Sequence, residues 1–398
     1  MGYRVIDTAE GLAHAAQALA ATTGPVAVDV ERASGFRYSA RAYLVQVARR
    51  GAGVFLFDPP AIGGDFTVLQ NAIGDAEWVF HAANQDLPSL AEIGLVPPRI
   101  FDTELSARLL GWPKVGLGAV VERTLGIVLR KEHSAADWST RPLPQDWIEY
   151  AALDVEHLLD VRDIIADELA ETGKSEWATE EFEEVRTRLP KPQPAEPWRK
   201  LNGVSKLRGR SALAVARQFW LVRDELARST DTAPGRLVPD RSVVAAVAAN
   251  PRTKNQLAGL REFQGRASRT EIDRWWQAFV DGRETTDLPA ERIPSDALPP
   301  VKAWAAKRPD ADARLKAAKP AIEAHAEFLS IPTENLLTPE HLRRVSWNPP
   351  ADITESSVAA ALRDQGARAW QATQTAPLIV RAFVQATQSV PESPDLAS

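Results

Sequence analysis

The chain contains no cysteine at all. Disulfide frameworks, cysteine–zinc sites and thiol nucleophiles are therefore excluded, and a reducing compartment fits. It also lacks any apolar run approaching the ~18 residues needed to span a bilayer. Its first residues, MGYRVIDTAEGLAHAAQALAATTG, have no basic segment ahead of an apolar core, so no signal peptide is expected and the location is read as cytoplasmic. Several catalytic signatures are missing as well. There is no His-Glu-x-x-His, and Gly203-Val204-Ser205-Lys206 continues with Leu207 instead of forming a nucleophile elbow. Thr172-Gly173-Lys174-Ser175 has Glu168 where a phosphate-binding loop needs glycine. Gly116-Leu117-Gly118 has Val121 where a dinucleotide fingerprint needs its third glycine.

What is present is ordinary in bulk and uneven in distribution. Hydrophobic residues make up 44% and charged residues 25% of 398 positions, which rules out bulk disorder and predicts two to four domains. The net charge of −6 conceals an asymmetry. Residues 1–190 carry 17 Lys+Arg against 29 Asp+Glu, residues 191–285 carry 18 against 10, and residues 286–398 carry 12 against 14. An acidic block joined to a basic one suggests that one part holds metal and another a polyanion.

Two proline-rich stretches divide the chain, Leu189 to Trp198 and Asp287 to Pro300. Proline stops helices and favours extended backbone, so both read as linkers. The resulting division is a first domain over 1–190, a linker over 191–204 and a helical domain over 205–285. A second linker over 286–300 leads to a further helical domain over 301–380 and a tail over 381–398, with VPESPDLAS expected to fray. In the first domain, Val26–Val30, Tyr43–Ala48 and Val54–Phe57 read as three consecutive antiparallel strands. Asp65–Ile73 reads as a helix, Trp78–His81 as a strand, Leu87–Ile93 as a helix, Arg99–Phe101 as a short strand and Trp147–Leu169 as a long helix. Strands followed by alternating strand and helix predict an α/β domain with a mixed sheet. Beyond it, Val215–Leu226, Ser242–Ala249 and Ser268–Val280 have helical spacing, and the two later regions read as two copies of one helical module.

Three acidic signals carry chemistry. Asp29-Val30-Glu31 ends an apolar strand, and alternation puts both carboxylates on one face. They repel unless a positive group lies between them, and a hard divalent cation suits oxygen ligands. A solvated strand end facing arginine or lysine is the bland alternative. His81-Ala82-Ala83-Asn84-Gln85-Asp86-Leu87 places Asp86 at a helix start, where it could simply favour the macrodipole. Tyr150-Ala151-Ala152-Leu153-Asp154 puts Tyr150 and Asp154 on one helical face, which by itself is compatible with a packed tyrosine beside an exposed acid.

Taken together, Asp-x-Glu on the first strand of the three, Asp opening a later helix, and Tyr-x-x-x-Asp on a helix resemble the DEDDy exonucleases. Phe101-Asp102-Thr103-Glu104, Leu109-Leu110, Leu125-Gly126, Asp137-Trp138-Ser139-Thr140-Arg141-Pro142-Leu143 and Tyr150 to Val155 narrow this to a resemblance to the ribonuclease D family over about 3–190. It implies a ribonuclease H-like fold and two-metal hydrolysis with Mg²⁺ or Mn²⁺. Asp29, Glu31, Asp86 and Asp154 would be the metal ligands. Asp29, Glu31 and Asp154 would hold the ion that activates water, and Asp29 would bridge to a second. Tyr150 would orient the attacking water, 5′-mononucleotides would leave from 3′ ends, and the RNA would be structured, such as tRNA precursors. His81, Gln85, Trp138 and Arg141 are further substrate-contact candidates, each with a packing or ion-pair alternative.

Residues 199–210, RKLNGVSKLRGR, precede a helix with Trp220-Leu221-Val222-Arg223-Asp224-Glu225 and a turn at Val238-Pro239-Asp240. This segment resembles an HRDC module, shared with RecQ-type helicases, over about 205–283. Leu329-Ser330-Ile331-Pro332 and Leu336-Leu337-Thr338-Pro339-Glu340 resemble a second, divergent copy. Lys206, Arg208, Arg210, Arg252, Lys254 and Arg261 are the candidates for RNA phosphate contact, with a solvated basic surface as the alternative. The whole reads as a ribonuclease H-like exonuclease domain followed by two all-α HRDC-type domains, a monomer whose three domains form a ring or funnel through which a single-strand end reaches a recessed acidic site. A DNA exonuclease of the same superfamily, as in Werner-type proteins, and a non-catalytic RNA-binding scaffold are the rival readings.

Overall fold

A computed structural model describes residues 3–129, 135–189, 192–293 and 296–388. Six strands form one mixed sheet: β1 (Val5–Ile6), β2 (Val26–Arg32), β3 (Ala42–Arg49), β4 (Gly53–Phe57), β5 (Glu77–Phe80) and β6 (Arg99–Asp102), in the order β1-β4-β3-β2-β5-β6. β2 pairs antiparallel with β3, and β3 with β4, as expected from the close spacing of the three runs. β2 pairs parallel with β5 only at Val26 and Ala27, so its Asp29–Arg32 end projects beyond that neighbour. The two-residue β1 is too short to show a period in the sequence.

The helices of this first unit are α1 (Ala9–Ala20), α2 (Pro59–Ile62), α3 (Thr67–Ile73), α4 (Leu87–Ala91), α5 (Thr103–Leu109), α6 (Leu117–Leu125), α7 (Gln145–Glu156), α8 (Leu158–Glu171) and α9 (Ser175–Thr187). Local chemistry sets their ends. Thr8 caps α1 by accepting from the Gly11 amide, and Gly126 ends α6 in the left-handed region at φ 71°. The single helix expected over Trp147–Leu169 is two, because the chain bends at His157 (φ −101°, ψ −4°). That bend lets α7 pack on β2, β3 and β4 while α8 continues against β5.

A second unit contains α10 (Arg210–Ser229), α11 (Pro234–Leu237), α12 (Asp240–Ala249), α13 (Lys254–Ala258), α14 (Arg266–Thr270) and α15 (Ile272–Glu284), and α10 packs along α15. Its core includes Phe219, Val243, Phe263 and Trp275. Trp198, within the stretch expected to be linker, is buried in the same core. A third set comprises α16 (Trp304–Lys307), α17 (Pro309–Phe328), α18 (Thr333–Leu336), α19 (Pro339–Trp347), α20 (Glu355–Asp364) and α21 (Ala369–Gln388). The two helical sets repeat one series: a 20-residue helix, a left-handed residue (Asp231 in one, Ser330 in the other), a four-residue helix, then a helix starting at Asp240 or Pro339.

The third set does not keep a separate core. Its Trp304, Ile322, Leu342, Ile379 and Phe383 belong to one apolar cluster with β2, β5 and α8 of the first unit. Trp177 and Trp370 stack at 4.8 Å, Arg368 pairs with Glu181 at 2.8 Å, and the Lys174 Nζ donates to the carbonyls of Leu109 and Leu329 at 2.7 and 2.8 Å. The tail expected from 381 starts later, since α21 runs to Gln388 with Phe383 buried. The fraying expected for VPESPDLAS falls outside the described residues.

Candidate active site

The carboxylates of Asp29, Glu31 and Asp154 each offer an oxygen within 4.8 Å of the others. Alternation along β2 aims the first two the same way, and α7 crosses the strand to add Asp154, with Tyr150 one turn before it. The Tyr150 hydroxyl donates to Asp154. Asp86, at the start of α4, lies outside that three-carboxylate group. Its backbone forms the N-cap of α4, but its side chain accepts no capping hydrogen bond, so the macrodipole alone does not account for it. It is 4% exposed and feels the charges of Asp29 and Asp154.

Asp102 positions the segment bearing Asp86. Its carboxylate accepts from the amides of Ala82 at 3.1 Å and Ala83 at 2.8 Å, and also caps α5 through Glu104 and Leu105. Ala82 sits at φ 68°, a conformation non-glycine residues adopt only when neighbours impose it. The Asp102 bonds supply that constraint. The sequence marks Asp102 as part of a family-like run, while its partners are visible only in the fold.

Electrostatics show what the carboxylates would accept. Burial pushes the Asp29 carboxyl up to about 6, and burial together with the Asp29 charge pushes Asp154 up to about 8. Glu31 and Asp86 are also raised well above the ordinary carboxylate range, by burial first and then by neighbouring carboxylates. Four desolvated acids sharing a pocket are stable as anions only with cations among them. The donor set is entirely oxygen, which fits a hard divalent ion. Burial, with the Asp154 charge next, drives the Tyr150 phenol well above its usual value, so it stays protonated.

The other candidates separate by contact. His81 is held at Nδ1, 2.8 Å from Thr103 Oγ1, and burial lowers its pKa to about 4. Gln85 is exposed beside Asp86 and accepts from Arg32 at 3.4 Å. Trp138 is 0% exposed and packs on Trp147 and Tyr150, so it offers no face to a nucleotide and instead backs the tyrosine. Arg141 is consumed internally. It makes a two-point pair with Asp58 at 2.5 and 2.9 Å and donates to the carbonyls of Tyr43, Trp138 and Thr140. Arg141 is thus held in an internal ion pair, and Trp138 in internal packing.

The basic residues separate in the same way. Arg210 donates to the carbonyls of Leu288 and Pro289, and Lys254 pairs with Asp273 at 2.6 Å. Arg261 is exposed. Lys206, Arg208 and Arg252 line a cavity of about 590 Å³ together with Arg283, over an apolar floor of Val215 and Phe279. Burial and the nearby Arg252 lower the Arg283 pKa. Arg283 lies 31 residues beyond Arg252, and no local pattern in the sequence joins them. Arg208 is shared with an adjoining cavity of about 620 Å³ that includes Arg199 and Arg292.

A mixed sheet whose central strand carries Asp-x-Glu, met by Asp154 and Tyr150 from one helix, defines a 3′–5′ exonuclease domain. Residues 3–170 match the family model described as 3′-5′ exonuclease. Residues 212–278 match the HRDC domain, and residues 297–383 match the 3′ to 5′ exonuclease C-terminal domain. The chain is 30% identical to ribonuclease D of Jannaschia sp. over 313 residues, 76% of this chain and 78% of that one. It is 35% identical to ribonuclease D of Nitrobacter hamburgensis over 190 residues, spanning 46% of this chain and about half (49%) of that relative. The chain belongs to the ribonuclease D family. Among solved structures, a protein from Bifidobacterium adolescentis is 37% identical with a TM-score of 0.87, covering 96% of this chain and 97% of that one. Escherichia coli RNase D shares the fold at 24% identity and a TM-score of 0.67, covering 98% and 100%. Among the described residues, no helix is long and apolar enough to cross a membrane.

Proposed function

We propose that the chain is a metal-dependent 3′→5′ exoribonuclease that trims the 3′ ends of structured RNA, such as tRNA precursors, and releases 5′-mononucleotides. The observation that carries this reading is the grouping of Asp29, Glu31 and Asp154 within 4.8 Å, with Tyr150 bonded to Asp154. Asp29, Glu31 and Asp154 would hold one divalent cation, and Asp29 with Asp86 would hold a second. Mg²⁺ or Mn²⁺ bound there would lower the pKa of water and offset charge on phosphate oxygens.

The chain's own groups do the rest. Tyr150 stays neutral and orients the attacking water through its hydroxyl oxygen, because a phenol held above its usual pKa is a poor base at neutral pH. Asp102 keeps Asp86 facing the other three carboxylates. The cavity lined by Lys206, Arg208, Arg252 and Arg283 would take RNA phosphates upstream of the 3′ end. E. coli RNase D is an exoribonuclease involved in structured RNA processing, which agrees with this substrate class. The test is mononucleotide release from a 3′-extended tRNA precursor with Mg²⁺ or Mn²⁺, beside Asp154→Ala and a chelator control. Metal-dependent 5′-mononucleotide release, lost in the variant, is expected; equal release from both proteins would reject the assignment.

A further inference from the structure

Arg32 follows Glu31 directly, so plain alternation would send it to the opposite face of β2. The ladder is irregular at that point: Glu31 faces Leu44, and Arg32 faces Ala42. The guanidinium reaches Gln85, the residue next to Asp86, and its charge acts on Asp29, Glu31 and Asp86. An arginine beside several carboxylates ordinarily closes a two-point ion pair with one of them. Among the described residues Arg32 makes no ion pair within 4 Å. Its one hydrogen bond runs from Nη2 to the neutral Gln85 Oε1, at a long 3.4 Å. Most of its five N–H donors therefore remain available over the pocket.

Charge balance says what those donors await. Four carboxylates match two divalent cations, and Arg32 then leaves one positive charge in excess. A phosphodiester carries one negative charge, and more collects on its equatorial oxygens as water attacks phosphorus. We propose that Arg32 is a catalytic residue that donates to a non-bridging oxygen of the phosphate under attack, with Gln85 steering its side chain. The inference rests on the exonuclease reading above. In the step, the water gives up a proton as its oxygen bonds to phosphorus, the bond from phosphorus to the 3′-oxygen of the upstream nucleotide breaks, and that oxygen takes up one proton to end as a 3′-hydroxyl. Arg32 keeps its own proton throughout.

The test compares wild type with Arg32→Met and Arg32→Lys, at saturating Mg²⁺, on an oligoribonucleotide. Arg32→Met should lower kcat/KM by about 10²-fold, mostly in kcat, as removal of a transition-state donor does. Arg32→Lys should recover part of the loss, because it restores the charge without the planar fork. Binding of 5′-UMP with Mg²⁺, followed by calorimetry, supplies a readout besides activity. Its Kd should rise about ten-fold or more in Arg32→Met, in line with a lost hydrogen bond to a charged group. If Arg32 only offsets the carboxylates, the variant will melt at a different temperature while kcat/KM and 5′-UMP affinity stay unchanged, and that result overturns the proposal. Wild type that neither releases mononucleotide nor binds 5′-UMP would instead remove the exonuclease reading itself.

Discussion

The Asp231 carboxylate accepts a hydrogen bond from the Ser39 amide at 2.9 Å. One residue belongs to the turn after α10, the other to the loop that leaves β2, eight positions after Glu31. Asp231 also accepts from Tyr43 Oη at 3.2 Å and lies 3.6 Å from Arg41, while Tyr38 Oη donates to Asp224 at 3.0 Å. The HRDC domain therefore grips the loop between β2 and β3. Asp231→Ala should cost about 1–2 kcal/mol, because hydrogen bonds of this kind contribute about 1 kcal/mol each. Amide exchange at Ser39 should quicken, and unchanged protection there would show that the grip is incidental.

The site carboxyls make a pH prediction with a definite sign. Their folded-state pKa values exceed the unfolded ones, so the stability they contribute is complete below about pH 4. It is lost as pH rises through about 6 for Asp29 and about 8 for Asp154. In chelator, the melting temperature should fall between pH 5 and 8. Asp154→Asn should flatten that decline, and Mg²⁺ should raise the melting temperature more at pH 8 than at pH 5.

Tyr150→Phe removes one donor and preserves the packing against Trp138. A loss of about 10–10²-fold in kcat with little change in KM is expected, matching one hydrogen bond to a charged group. Metal binding, read from the Mg²⁺-dependent melting shift, should survive. A rise in KM alone would place the tyrosine in ground-state binding instead.

Lys206→Glu with Arg252→Glu reverses two cations in the HRDC cavity. Ser211, at one end of α10, borders that cavity, while Asp224 and Arg228 meet the exonuclease domain near the other. At 1.5 Å per residue, the two ends are roughly 20–25 Å apart. Long RNA should bind more weakly, with a salt slope shallower by about one per lost phosphate contact. Hydrolysis of a dinucleotide, too short to reach the cavity, should be unchanged.

The sequence alone determined the parts governed by short-range geometry. Alternation paired Asp29 with Glu31, a four-residue step paired Tyr150 with Asp154, and β-branched runs marked five of the six strands. Tertiary structure decided what each long polar side chain meets. It turned Arg141 inward to Asp58, buried Trp138 behind Tyr150, set Arg32 against Gln85 and brought Arg283 to the cavity that Arg252 lines. It also merged the last helices with the core of the exonuclease domain through Trp177 and Trp370. A periodic pattern reports only which face of its own element a residue occupies. The partner on that face comes from another element, often more than a hundred positions away, and is fixed only when the whole core packs.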